Sequence, residues 1–119
     1  PIQQSLMQQG DIDQQSLAGA VSTGTHGTGL NLHCISAYVE AFELLTASGD
    51  ILTCSRQDNP NIFEAGRVSL GSLGILTKIT MQNKPRYKLK EHVRLCSVNE
   101  FFENKGKVNN MNSCWIYEK

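Results

Sequence analysis

The segment Gln14 to Gly29, QQSLAGAVSTGTHGTG, constrains the fold of this chain more than any other stretch. It crowds glycines and small side chains together, and glycine carries the highest entropic cost of being held in a helix or strand. Its second half, Thr23-Gly24-Thr25-His26-Gly27-Thr28-Gly29, is expected to form an irregular loop. Without Cβ atoms at Gly24, Gly27 and Gly29, the backbone can approach a ligand closely and adopt positive φ. Exposed amides and threonine hydroxyls would then offer donors to a phosphate or a carbonyl-rich ligand. The run is not a P-loop, because no lysine follows it, and it lacks the G-x-G-x-x-G spacing of dinucleotide folds. By spacing alone, a glycine-rich turn with a capping histidine fits equally well. A second irregular run, Gly71-Ser72-Leu73-Gly74-Ile75, stands at a predicted helix-to-strand junction. Two such runs fit a ligand lying between them, although one structural turn explains either.

Between these runs the pattern is readable. Residues 35–47 (ISAYVEAFELLTA) form a strand-like run, Ser48-Gly49-Asp50 supplies turn chemistry, and residues 51–54 return as a second strand, giving a β-hairpin. Asn59-Pro60 suits a helix start, with asparagine as the cap and proline in the first turn, and the helix should reach about Val68. Phe42, Leu44 and Phe63 read as core, and Arg67 as a partner of Glu64. From Ile75 the sequence alternates, which places Ile75, Thr77, Ile79 and Met81 on one buried side of a strand that Pro85 ends. Residues 87–95 alternate again, and Ser97 with Glu100 has capping-box spacing for a short helix. Trp115, Ile116 and Tyr117 read as an element that continues past the end of the chain. The elements do not form a clean βαβ series, so the class is α+β.

Composition removes several functions. The 119 residues carry 11 basic and 11 acidic side chains, so no net field draws in a polyanion, and nucleic-acid binding by bulk electrostatics is not expected. No apolar run approaches the roughly 20 residues of a bilayer crossing. The glutamine-rich residues 1–10 do not have the layout of a signal peptide, so the expected location is cytoplasmic, with targeting or membrane association left to regions outside this sequence. Cys34, Cys54, Cys96 and Cys114 show no Cys-x-x-Cys pair, which argues for reduced thiols and against zinc. His33 and His92 read as surface or structural residues, and Asp13 as a local turn or cap.

Three blocks, GDIDQQSLAGAVSTGTHGTG from Gly10, LLTASGDILTCS, and NPNIFEAGRVSLGSLGILTKITMQ, occur in this order. Together they closely resemble the sugar-1,4-lactone oxidase family, which includes L-gulonolactone and D-arabinonolactone oxidases and has alditol oxidases as relatives. The resemblance spans residues 1–95 and implies the second subdomain of a vanillyl-alcohol-oxidase-type, or PCMH-type, FAD-binding domain. It further implies a mostly antiparallel sheet with flanking helices, and residues 96–119 as the start of a substrate domain or a frayed tail. By the same resemblance, FAD is contacted by Gly10, Asp11, Ser16, Gly19, Thr23, Gly24, Thr25, His26, Gly27, Gly74 and Ile75. A small residue at Gly10 is associated in that superfamily with oxygen access to the flavin, which points to an oxidase.

The family's other flavin loop, with the histidine that often bonds FAD, has no counterpart here, and His26 belongs to a different loop. The glutamate and arginine that orient the sugar are likewise not found. The resemblance therefore implies an FAD-binding portion of an oxidoreductase acting on a sugar lactone or polyol with oxygen, inactive by itself and without catalytic residues of its own. A different reading is a truncated module that self-associates through exposed apolar surface. A third is phosphate-ligand binding through the Thr23 to Gly29 loop without redox chemistry.

Overall fold

The computed structural model describes residues 3–29, 31–88, 90 and 95–104. A three-stranded antiparallel sheet forms its centre: β2 (Val39–Leu45) lies between β3 (Ile51–Ser55) and β4 (Ile75–Met81). A separate two-stranded pair joins β1 (Gln4–Leu6) to β5 (Asn83–Pro85), also antiparallel. Three short helices accompany them: α1 (Leu17–Ser22), α2 (Pro60–Gly66) and α3 (Val98–Glu103). This mixture of helices and antiparallel sheets is the expected α+β class.

The hairpin forms where the turn residues stand. Gly49 takes φ +91° with open space around it, and the Thr46 hydroxyl bonds Ser48 and the Asp50 carbonyl to close the turn. Its first strand starts later than the alternation implies, because Ile35–Tyr38 makes a 3-10 turn before β2 begins. That turn buries Ile35 and Ser36.

The inward side of the sheet is Val39, Phe42 and Leu44 from β2, Leu52 and Cys54 from β3, and Leu76, Ile79 and Met81 from β4. Two irregularities in the β2–β4 pairing set this choice. Val39 faces Met81 but Ala41 faces Thr80, leaving Glu40 as an extra residue on β2. Glu43 faces Lys78 but Leu44 faces Leu76, leaving Thr77 as an extra residue on β4. Each bulge moves the residues beyond it to the opposite face. Val39 and Phe42, three apart in sequence, therefore point the same way, and Leu76 rather than Ile75 enters the core. The expected buried row Ile75, Thr77, Ile79, Met81 is corrected accordingly: Ile75 remains 65% exposed. The Thr77 hydroxyl, displaced by its bulge, bonds the Glu43 carbonyl.

Helix α2 covers the inward side. The Phe63 ring stacks on Phe42 at 5.7 Å between centroids, and Gly66 leaves the room that the Phe42 ring fills. A Cβ on Gly66 would stand 2.3 Å from Phe42 Cζ. Proline does occupy the start of α2, but Asn59 does not cap it with its side chain. Asn59 adopts φ +49° and its side-chain amide donates to the Thr53 carbonyl, tying the helix to β3 instead. Arg67 pairs with Glu64 as expected, and its guanidinium lies over the Phe63 ring.

β4 ends at Met81 rather than at Pro85. The Gln82 amide donates to the Tyr38 carbonyl, and β5 then pairs with β1, a short polar strand with no hydrophobic signature. Ser97 caps α3 by accepting from the Glu100 amide at 3.2 Å, as its spacing predicts. The proposed strand over residues 87–95 falls largely outside the described residues, as do His92, Cys114, Trp115, Ile116 and Tyr117. Cys34, Cys54 and Cys96 are free thiols. Burial pushes the Cys54 thiol above its ordinary pKa, so it stays neutral and unreactive. Among the described residues no helix is long and apolar enough to cross a membrane.

Candidate functional site: the loop after the first helix

The glycine-rich segment contains a helix that its composition hides. The Ser16 hydroxyl accepts from the Gly19 amide at 3.1 Å, and α1 runs for six residues from there. Gly19 sits so close to this cap that a Cβ would approach Ser16 Oγ to 3.1 Å. Ala20 and Val21 enter the same core as Phe42 and Phe63, which fixes the helix to the sheet.

The helix ends in the loop by using up its own donors. The Thr23, Gly24 and Thr25 amides donate to the carbonyls of Gly19, Val21 and Ala20, with Gly24 at φ +66°. Sequence reasoning expected bare amides throughout Thr23 to Gly29. The chain terminus of α1 takes the first three, because the last turn of a helix leaves carbonyls that need partners. Among the described residues the His26 and Gly27 amides make no hydrogen bond, so these two are donors the loop leaves available.

Hydroxyl bonds hold this loop. Thr23 Oγ1 donates to the Gly19 carbonyl at 2.9 Å and lies 3.3 Å from Thr25 Oγ1, which donates to Gln15 Oε1 at 3.2 Å. The Thr25 carbonyl accepts from the Ile35 amide at 2.8 Å. His26 Nδ1 lies 2.8 Å from the Gly27 carbonyl. A carbonyl only accepts, so Nδ1 is the donor here, which leaves Nε2 of this exposed side chain to meet a ligand.

The segment Gln8 to Gly10 lies across this loop with its backbone against it. A Cβ on Gly27 would stand 2.7 Å from the Gln9 carbonyl, and one on Gly10 would stand 2.9 Å from the Thr25 methyl. Gly27 needs glycine for this backbone approach, whereas a Cβ on Gly10 would meet only a side-chain methyl. Gln8 is buried at this crossing, and among the described residues neither of its amide atoms has a hydrogen-bond partner.

No protein-family profile matches the chain. Curated proteins do. It is 38% identical over 94 residues to the putative D-arabinono-1,4-lactone oxidase of Neurospora crassa, covering 79% of this chain and 17% of that protein. It is 42% identical over 87 residues to the L-gulono-1,4-lactone dehydrogenase of Mycobacterium tuberculosis, covering 73% and 20%. Against the L-gulonolactone oxidase of Bos taurus it is 35% identical over 100 residues, covering 84% and 23%. This chain belongs to the sugar-1,4-lactone oxidase family. It spans about a fifth of the length of the relatives it matches.

Of the residues that resemblance to this family singles out, the fold brings most together. Gly10, Thr25, His26 and Gly27 meet at the crossing, with Asp11 following Gly10 on an exposed bend. Ser16, Gly19, Thr23 and Gly24 frame the helix beneath them. The two irregular runs are neighbours: the Leu70 amide donates to the Ser22 carbonyl, and Val68 lies against Gly24. Gly74 and Ile75 are placed differently. Gly74, at φ +144°, packs so tightly on β2 that a Cβ would meet the Leu45 carbonyl at 2.3 Å. Its glycine is explained by strand packing alone, and the Ile75 side chain points outward from the sheet. Asp13 accepts a bond from the neighbouring Gln14 amide, a local role as expected. His33 is exposed, and its amide bonds the Tyr38 hydroxyl.

Two polar residues at this site escaped sequence reasoning. Gln15 holds Thr25, and Gln8 lies buried under the crossing. Both sit among several glutamines near the start of the chain, where nothing in residue type or spacing distinguishes one glutamine from the next.

Proposed function

We propose that this chain forms part of the FAD-binding domain of an enzyme that oxidises a CH–OH group of a sugar-1,4-lactone, or a related polyol, with oxygen as acceptor. On this reading residues 1–95 make the second subdomain of a PCMH-type domain, and residues 96–119 open the substrate domain. The single observation that carries it is the crossing of Gln9 and Gly27, where two backbones approach so closely that a Cβ on Gly27 would stand 2.7 Å from the Gln9 carbonyl. Such a cradle leaves peptide groups, not side chains, to face a planar cofactor.

The residues present suit a flavin dinucleotide. Among the described residues the His26 and Gly27 amides are donors without partners, His26 Nε2 is left to meet a ligand, and the orphaned Gln8 amide offers a donor and an acceptor. When bound, FAD supplies the two-electron chemistry between the CH–OH carbon and oxygen. The chain's own share is to hold and orient. Gln15 and Thr23 fix Thr25, Thr25 fixes the crossing strand, and the Gly27 carbonyl fixes the His26 ring. Glycine at position 10 supports oxygen as the acceptor only through the family resemblance, in which a small residue there accompanies oxygen access.

Titration of the purified chain with FAD and with ADP tests this reading. Saturable FAD binding is expected, weak enough to be lost on gel filtration, with ADP weaker by about tenfold or more, which is ~1.4 kcal/mol. Equal affinities would leave only a phosphate-binding loop. The absence of saturable FAD binding rejects the proposal. Flavin-independent oligomers would favour self-association, for which Leu70 and Ile75, 76% and 65% exposed, supply the apolar surface.

A further inference from the structure

Gln8 is only 5% exposed, and both its Nε2 and Oε1 are buried without a hydrogen-bond partner among the described residues. Burying an amide without partners is costly, whereas leucine or methionine would fill much the same volume at no such cost. A glutamine held in this way is waiting for a partner that the described chain does not supply. Its position says where that partner comes from. A Cβ on Gly27 would lie 3.5 Å from Gln8 Cδ and 3.6 Å from its Cγ, so the amide rests directly under the crossing of Gly10 and Gly27.

A primary amide presents a donor and an acceptor side by side in one plane. Its best complement is a planar ring whose edge carries an N–H beside a carbonyl, or the equivalent acceptor–donor pair. FAD carries two such edges: the imide edge of the flavin ring, with its N3–H and carbonyls, and the amino edge of adenine. We propose that Gln8 pairs through both atoms of its amide with the imide edge of the flavin, making it a cofactor-recognition residue of this site. The assignment rests on the FAD reading above and adds the group that reads the ring. Both amide atoms lie under the loop, so pairing is coupled to a parting of the Gln8–Gly10 strand from Thr25–Gly27.

The test compares the chain with Gln8→Leu and with Gln8→Met, a second apolar residue of similar length in case the first misfolds. Each is titrated with riboflavin, N3-methylriboflavin and ADP, and melted without ligand. The wild-type chain is expected to bind riboflavin about tenfold more tightly than either variant, the value of two neutral hydrogen bonds. N3-methylation should weaken wild-type binding by a similar factor and leave the variants unaffected. The variants should melt at or above the wild-type temperature, since they no longer bury an unpaired amide. Variants that gain stability and bind riboflavin as the wild type does would overturn the proposal, leaving Gln8 a packing cost. Loss of ADP affinity with riboflavin affinity intact would overturn it in favour of the adenine edge. A wild-type chain that binds riboflavin but neither distinguishes its N3-methyl form nor responds to the variants removes Gln8 alone. One that binds no flavin removes the FAD reading and the pairing with it.

Discussion

Around Phe42, three strands and α2 enclose Val39, Leu44, Cys54 and Phe63, and the Arg67 guanidinium lies over the Phe63 ring with its Nε buried and without a hydrogen bond among the described residues. Around Thr25 the chain is held by Ser16, Thr23 and Gln15 hydrogen bonds and by the Ile35 amide, with Ala20, Val21 and Ile35 as apolar anchors in the core. The first region answers to the hydrophobic effect, where burial of each large side chain is worth a few kcal/mol. The second carries a glycine, Gly27, without room for a Cβ and, among the described residues, two amides and a buried glutamine without hydrogen-bond partners. On the proposed reading, groups that lower stability in one chain segment, beside a well-packed core able to tolerate them, are where binding is built.

Substitutions on either side make this contrast measurable. The largest effect belongs to the core: Phe63→Ala should lower unfolding free energy by about 3–5 kcal/mol in urea denaturation, because the Phe42 stack and the α2 contact go together. At the crossing, Gly27→Ala should cost only ~1–3 kcal/mol of stability. It should nevertheless abolish FAD binding, since its Cβ forces the Gln9 carbonyl away from the loop. If Gly27→Ala proved as damaging to the fold as Phe63→Ala, the division between packing and binding regions would fail. The smallest effect is expected at the exposed Lys78–Glu43 pair across β4 and β2, 3.1 Å apart. There Lys78→Ala should cost less than about 0.5 kcal/mol after solvent screening and leave flavin affinity unchanged. A larger loss in salt-dependent melts would mean that electrostatics, and not apolar burial, orders the sheet.

Much of the sheet could be read in advance because its signals are local. Gly49 and its neighbours specify the hairpin turn, and Pro60 and Ser97 specify where two helices begin. Which face of β4 turns inward could not be read, since period-2 alternation carries no mark for an inserted residue, and Thr77 looks like any other strand threonine. The β1–β5 pair is too short and too polar to announce itself. At the site, the glycines of the Thr23–Gly29 run indicated an irregular loop, and the loop is there. The helix before it was concealed by Gly19, and the use of the Thr23, Gly24 and Thr25 amides depends on that helix. Gln8 was invisible for a different reason: its burial arises from a contact between segments far apart in sequence, which no glutamine-rich stretch can encode by composition.

The two irregularities in the β2–β4 ladder have a consequence for how the sheet tolerates change. Glu40 adds a residue to one strand and Thr77 adds one to the other, so the offset introduced at one end is cancelled at the other. Removing Glu40, Thr77 or both would bring pairs that already alternate side by side, so a regular ladder would keep Val39, Phe42 and Leu44 on the inward side. Inserting a residue anywhere else in these strands would instead turn the residues beyond it to the wrong face.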